Sequence, residues 1–145
     1  MIDFIIPLPP ITKKNSQQIR KNFSTGARFI SPSEQYKQYE RDAMWFVPRH
    51  YETIDYPVTV TCLFYMPTLA RVDKTNLEES IHDIIVKAGL LADDNRDIIA
   101  STDGSRVYYD KDNPRTEVYI TPFEEEYEQW SKKKGEKKCS TKRKR

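Results

Sequence analysis

The sequence predicts an α+β fold: one small domain with a mixed or antiparallel sheet and two main helices. Three observations carry that expectation. Residues 32–47 and 75–88 repeat apolar side chains at helical spacing, whereas 2–6, 57–66, 98–101, 106–109 and 116–121 read as strands. Proline and glycine punctuate most of the junctions between them. The resulting order β, α, β, α, β, β, β is neither doubly wound nor barrel-like.

Taken in order, Ile2 to Ile6 form the first strand, stopped by Pro7, Pro9 and Pro10. Residues 11–28 read as a polar, basic loop with Lys13, Lys14, Arg20, Lys21 and Arg28. Ser31-Pro32-Ser33-Glu34 has the form of a capping box with proline at the first helical position. The helix it predicts, 32–47, carries Tyr36, Tyr39, Ala43 and Phe46 as a core-facing stripe and ends before Pro48. Residues 57–66 (PVTVTCLFYM) alternate in the manner of a half-buried strand. A second capping box, Thr75 with Glu78, predicts a helix with Leu77, Ile81, Ile84, Ile85 and Ala88 inward and Gly89 as its stop. Three short strands follow, with Asp103-Gly104 and Asp112-Asn113-Pro114 as turns.

Composition narrows the function classes. There is no run of eighteen apolar residues and no signal-peptide pattern at the N-terminus, so no membrane partner is expected. Cys62 and Cys139 lack metal-ligand spacing, and His50 and His82 are unpaired in sequence. A zinc site and a Ser-His-Asp triad are therefore poorly supported, and a reduced, cytoplasmic setting fits better than a disulfide scaffold. The net charge of +2 hides an asymmetry: residues 131–145 hold nine Lys/Arg and one acid, while 1–130 hold 15 basic and 21 acidic residues. A basic tail on an acidic body suits a polyanionic partner; the same tail also reads as merely solubilising. The division expected is a domain over 1–122 and a charged extension over 123–145, its basic end disordered.

The chemistry concentrates between Arg71 and Arg106. One acidic cluster (Asp73, Glu78, Glu79) opens the second helix and another (Asp93, Asp94, Asp97) follows its end. A helix that returns into a short loop can bring the two together, and gathered carboxylates suit a hard cation such as Mg²⁺ or Mn²⁺. Asp and Glu are equally at home on a solvated helix face, and Asp-Asp-Asn is ordinary turn chemistry.

An ordered set of motifs resembles the RusA-type Holliday-junction resolvases common in phages and prophages. The set runs from Ile6-Pro7-Leu8-Pro9-Pro10 to Asn15, through Ser31 to Tyr36 and Met66-Pro67, to Asp73 to Leu77 and then Asp93-Asp94. It spans roughly Ile2 to Pro122. The resemblance implies a homodimeric, Mg²⁺- or Mn²⁺-dependent endonuclease that cuts four-way DNA junctions in recombination and repair, in the cytoplasm of a bacterial or phage-infected cell.

Position by position, the family's first catalytic aspartate falls on Asp73, its post-helix aspartate on Asp94 and its Asn-Leu on Asn76-Leu77. Two positions depart from the best-known pattern: a second aspartate is Thr75 here, and a helix lysine is Glu79. In one reading Glu79 replaces the missing carboxylate, so that Asp73, Glu79 and Asp94 serve as catalytic and metal-binding residues with Thr75 and Asn76 as structural cap. In the other the site is degenerate, and the protein binds branched DNA without cutting it. A third reading, from a different class, is a regulatory protein whose acidic helix and basic tail contact other proteins. Lys13, Lys14, Asn15, Lys74 and Arg106 are the expected DNA-binding residues; Arg106 has a cross-sheet pair with Glu117 as its alternative, and Asn15 a turn-capping role.

Overall fold

The structure is a computed structural model. It describes residues 1–13, 17–21, 24–49, 52–124 and 128–135, with 17–21 and 29–32 described by their backbone alone. The elements are β1 (Ile2–Ile6), β2 (Gln17–Lys21), β3 (Arg28–Pro32), α1 (Glu34–Met44), β4 (Val58–Met66), α2 (Lys74–Lys87), β5 (Ile99–Ser101), β6 (Arg106–Tyr109) and β7 (Arg115–Pro122). A mixed sheet with two main helices is the α+β layout expected from the sequence.

The alternation in β4 sets the layers. Val58, Val60, Cys62 and Phe64 are buried on one face, and Thr59, Thr61, Leu63 and Tyr65 lie half-buried on the other. β7 pairs antiparallel with β4 from Val58↔Pro122 to Tyr65↔Arg115, and β1 adds antiparallel to β7. The buried face forms one core with Tyr36, Tyr39 and Ala43 of α1 and Leu77, Ile81, Ile84 and Ile85 of α2. Lys87 ties the two helices together through Glu40 at 3.0 Å.

On its other side β4 meets β5 and β6, both parallel to it, β5 beside its start and β6 beside its second half. Asp103-Gly104 is therefore not a hairpin turn; the chain bulges out and rejoins the same edge. Side chains stitch the gap: Ser105 Oγ accepts from the Cys62 N–H at 3.0 Å, and the Thr61 hydroxyl donates to the Asp103 carbonyl at 2.7 Å. Gly104 turns the bulge at φ +85, a left-handed conformation, with Thr61 Cγ2 only 3.3 Å from where a Cβ would stand.

Three expectations need correction. The basic stretch 11–28 is not all loop, because Gln17–Lys21 and Arg28–Pro32 pair as an antiparallel hairpin. That hairpin holds Ser31 and Pro32 extended, so Ser33 and not Ser31 caps α1, accepting from the Tyr36 N–H at 3.1 Å. α1 then stops at Met44, short of Val47, where i→i+3 bonds from Phe46 to Ala43 and Val47 to Met44 tighten the chain and leave Phe46 exposed. Residues 128–135 are helical. Trp130 packs against Tyr56 at 6.2 Å, and Lys134 lies over the Trp130 ring and 3.4 Å from Asp55. The rest of the tail, 136–145, lies outside the described residues.

Candidate functional site

The site is built on α2, which Asp73 starts. Asp73 has extended backbone (φ −90, ψ 117), and its Oδ1 accepts from the Thr75 N–H at 3.3 Å. The cap is therefore Asp73, not Thr75 and Asn76. Aspartate is the better N-cap acceptor and its charge suits the helix dipole. Thr75 supplies only its backbone N–H, and the Asn76 carbonyl accepts from the Ser80 hydroxyl at 3.0 Å.

One turn on, the two glutamates diverge. Glu79 is exposed, whereas Glu78 turns inward with its side chain 13 % exposed. Lys74 Nζ lies 3.5 Å from Glu78 Oε1, an ion-pair contact without hydrogen-bond geometry, and that buried oxygen has no hydrogen-bond partner. Beneath it is Cys62, whose thiol burial pushes far above its ordinary pKa, with the Glu78 charge adding to the shift.

His82 follows Glu78 by one further turn. Burial lowers its pKa, while the carboxylates of Glu78, Asp94, Asp83 and Glu79 all act on the imidazole in the opposite sense. Its Nε2 is buried without a hydrogen-bond partner. The loop after α2 thus returns far enough to bring Asp94 into electrostatic reach of mid-helix. Asp93 shapes that return: its carboxylate accepts from the Asp94 N–H at 2.7 Å and from the Asn95 amide at 3.2 Å. Asp97 donates its N–H to Asn95 Oδ1 at 3.0 Å and remains an exposed turn residue, as does Asp103.

Of the three carboxylates expected to act together, Glu79 and Asp94 share His82 as neighbour. Asp73 stands at the helix head, about 9 Å along the axis from Glu79. Among the described residues, no three of His, Cys, Asp and Glu form a group that could hold a metal ion. The exposed carboxylates remain hard-oxygen donors of the kind Mg²⁺ takes, and Mg²⁺ uses one or two carboxylates completed by water and substrate phosphate more often than an all-protein cage. Sequence reasoning placed Glu78 in the first acidic cluster but left His82 and Asp83 out of the site. The signal was present in the i, i+4 pairs Glu78/His82 and Glu79/Asp83.

The cations sit beside the acids. Lys13 donates its backbone N–H to Ser80 Oγ at 3.2 Å, and its Nζ lies 3.7 Å from Asp83. Arg106 is exposed on β6 and donates to the Ser105 carbonyl at 2.9 Å. It does not pair with Glu117, because Leu63 stands between them in register and Arg115 takes Glu117 at 2.9 Å. Lys14 and Asn15 lie outside the described residues.

A mixed sheet backed by two helices, with a carboxylate-bearing loop returning toward α2, defines a small α+β domain. Residues 7–121 match the family model described as Endodeoxyribonuclease RusA, and the chain belongs to that family. It is thus a member of a family of endodeoxyribonucleases. No curated protein matches it. Among the described residues, no helix is long and apolar enough to cross a membrane.

Proposed function

We propose that this protein is a Mg²⁺- or Mn²⁺-dependent endonuclease that resolves four-way DNA junctions by paired phosphodiester hydrolysis, acting as a homodimer. The observation that carries the proposal is the family match over 7–121, joined to the return of the post-helix loop that brings Asp94 into electrostatic reach of His82 on α2. Asp73, Glu79 and Asp94 are the residues proposed to hold the ion. When bound, such an ion lowers the pKa of a water and stabilises charge developing on the phosphate.

The chain's own residues do the rest. Asp73, fixed by its capping bond, stands where the dipole of α2 favours negative charge, and Glu79 is exposed one to two turns along. Lys13 and Lys74 are held on Asp83 and Glu78, so a DNA phosphate entering the site exchanges partners with carboxylates already beside it. Arg106 offers a further phosphate contact from the sheet edge. Cytoplasmic location in a bacterial or phage-infected cell is part of the same proposal.

One observation favours a second reading. No three ligand-type side chains converge among the described residues, and Thr75 and Glu79 depart from the resolvase pattern. The second reading is therefore a protein that binds branched DNA without cutting it. Incubating a synthetic four-way junction with the protein and Mg²⁺, with EDTA as control, decides between them: symmetric nicks support the nuclease, and tight binding without nicks supports the binder.

A further inference from the structure

The face of the sheet turned away from the helices carries a row of side chains that the proposed chemistry does not use. Tyr65 in β4 is in register with Arg115 of β7 on one side and Tyr108 of β6 on the other. The Arg115 guanidinium lies over the Tyr65 ring, 3.7 Å from its centroid, and the Tyr65 and Tyr108 rings stack at 5.2 Å with 25° between planes. Three layers thus run across three strands: guanidinium, phenol, phenol.

The inner end of the row is fixed. Arg115 is bonded to Asp110 and Glu117, both at 2.9 Å, and Glu117 also accepts from the Tyr119 hydroxyl at 2.8 Å. Both acids are therefore engaged within the row, although one guanidinium serves two carboxylates. The outer end is open. β6 has no further strand beyond it among the described residues, and Tyr108 is 46 % exposed. One face of its ring rests on Tyr65, so the opposite face looks off the sheet edge.

What fits such an end is another flat π system. Aromatic rings that stack pairwise leave a surface on which a planar base continues the series, and every nucleobase has such a face. A cation stands at the right distance: Arg106 is exposed on the same face of β6, two residues before Tyr108 and about 7 Å away along the strand. That separation is within the span of one nucleotide from base to phosphate. Bases inside a duplex are already stacked on both faces, so the platform selects an unpaired or unstacked base.

We infer that Tyr108, at the open end of the Arg115–Tyr65–Tyr108 row, stacks on an unstacked nucleobase of branched or single-stranded DNA while Arg106 holds its phosphate. This rests on the DNA-binding reading above and adds to it the feature by which a branch point differs from plain duplex. Tyr108 is a binding residue here and takes no part in hydrolysis.

The test is binding by the full chain in EDTA, which prevents cleavage. The probes are a fluorescein-labelled single strand, a four-way junction and a plain duplex. Tyr108→Leu is expected to weaken single-strand and junction binding about tenfold, equivalent to about 1.4 kcal/mol, with duplex affinity within about twofold of wild type. Tyr108→Phe, which keeps the ring, is expected to bind all three as wild type does. Arg106→Gln should weaken the same two probes and reduce their salt dependence. Unchanged single-strand and junction affinity in Tyr108→Leu overturns the platform and leaves the nuclease reading standing. An equal loss on all three probes also overturns it, as does a changed sedimentation coefficient with unchanged DNA affinity, which would assign this edge to a second copy. A wild-type protein that binds none of the probes overturns both this inference and the proposed function.

Discussion

Asp73 has two roles in this account, and a substitution separates them. Asparagine at an N-cap still accepts from the Thr75 N–H, so Asp73→Asn keeps the helix start while removing the charge a cation needs. Cleavage is expected to be lost with junction binding close to wild type; single-turnover kinetics beside a gel-shift titration measures both. Glu79→Gln is expected to raise the Mg²⁺ concentration for half-maximal cleavage, and Glu79→Lys to raise it further. A normal metal titration for both would return Glu79 to the solvated face of the helix. His82 supplies a pH dependence whose sign follows from its burial. Its folded pKa lies below the ordinary imidazole value of about 6.5, despite the opposing charges of Glu78, Asp94, Asp83 and Glu79. The unfolded chain therefore takes up a proton first as pH falls. The stability contributed by the neutral imidazole is complete above pH about 6.5 and is lost as pH falls through the unfolded value toward the folded one. Urea midpoints in EDTA at pH 7.5 and 5.5 should differ in the wild type and differ less in His82→Asn.

At the scale of elements, β4 holds the molecule together, since β7 lies on one flank and β5 and β6 on the other. Phe64, fully buried at its centre, is expected to cost about 3–5 kcal/mol when replaced by alanine, measured by urea unfolding. Gly104→Ala puts a Cβ into a left-handed bulge 3.3 Å from Thr61 Cγ2, and about 1–2 kcal/mol is expected there. These elements were legible to different degrees. β1 and β4 could be read because alternation and proline stops agree, and α2 because its apolar stripe ends at Gly89, which has φ +82. The β2–β3 hairpin was not legible: Gln17–Lys21 has Ile19 as its one apolar residue, and its pairing is made by backbone. The capping boxes misled by their regularity, since Ser31 and Thr75 have the right spacing but the chain is already committed as a strand at one and capped by Asp73 at the other. The parallel return of β5 and β6 also escaped, because Asp103-Gly104 signals a reversal and only the pairing of both strands with β4 shows that none occurs. Asp73, Glu79 and Asp94 could be proposed from sequence, but the separation of Asp73 from Glu79 along α2 depends on where the cap falls.

Over the whole molecule, charge is divided between an acidic helix and a basic C-terminal run, and the described part of that run is already docked through Trp130 and Lys134. Deleting 136–145 removes six Lys/Arg and Glu136 while keeping that helix. Weaker junction binding with a shallower slope of log affinity against log salt is expected, with little change in unfolding midpoint; an unchanged slope would show that those residues do not meet DNA. A substrate with two-fold symmetry calls for two sites, and sedimentation of the free protein should show a dimer if the proposal holds. The most direct measurement is cleavage of a synthetic four-way junction by the full chain in Mg²⁺, run beside EDTA and beside Asp94→Asn. Paired, symmetric nicks by the wild type alone, with junction binding in EDTA that Asp94→Asn retains to within about twofold, are the predicted result. A junction bound tightly but never cut, or cut equally well by Asp94→Asn, would contradict the assignment of a metal-dependent nuclease site to α2 and its returning loop.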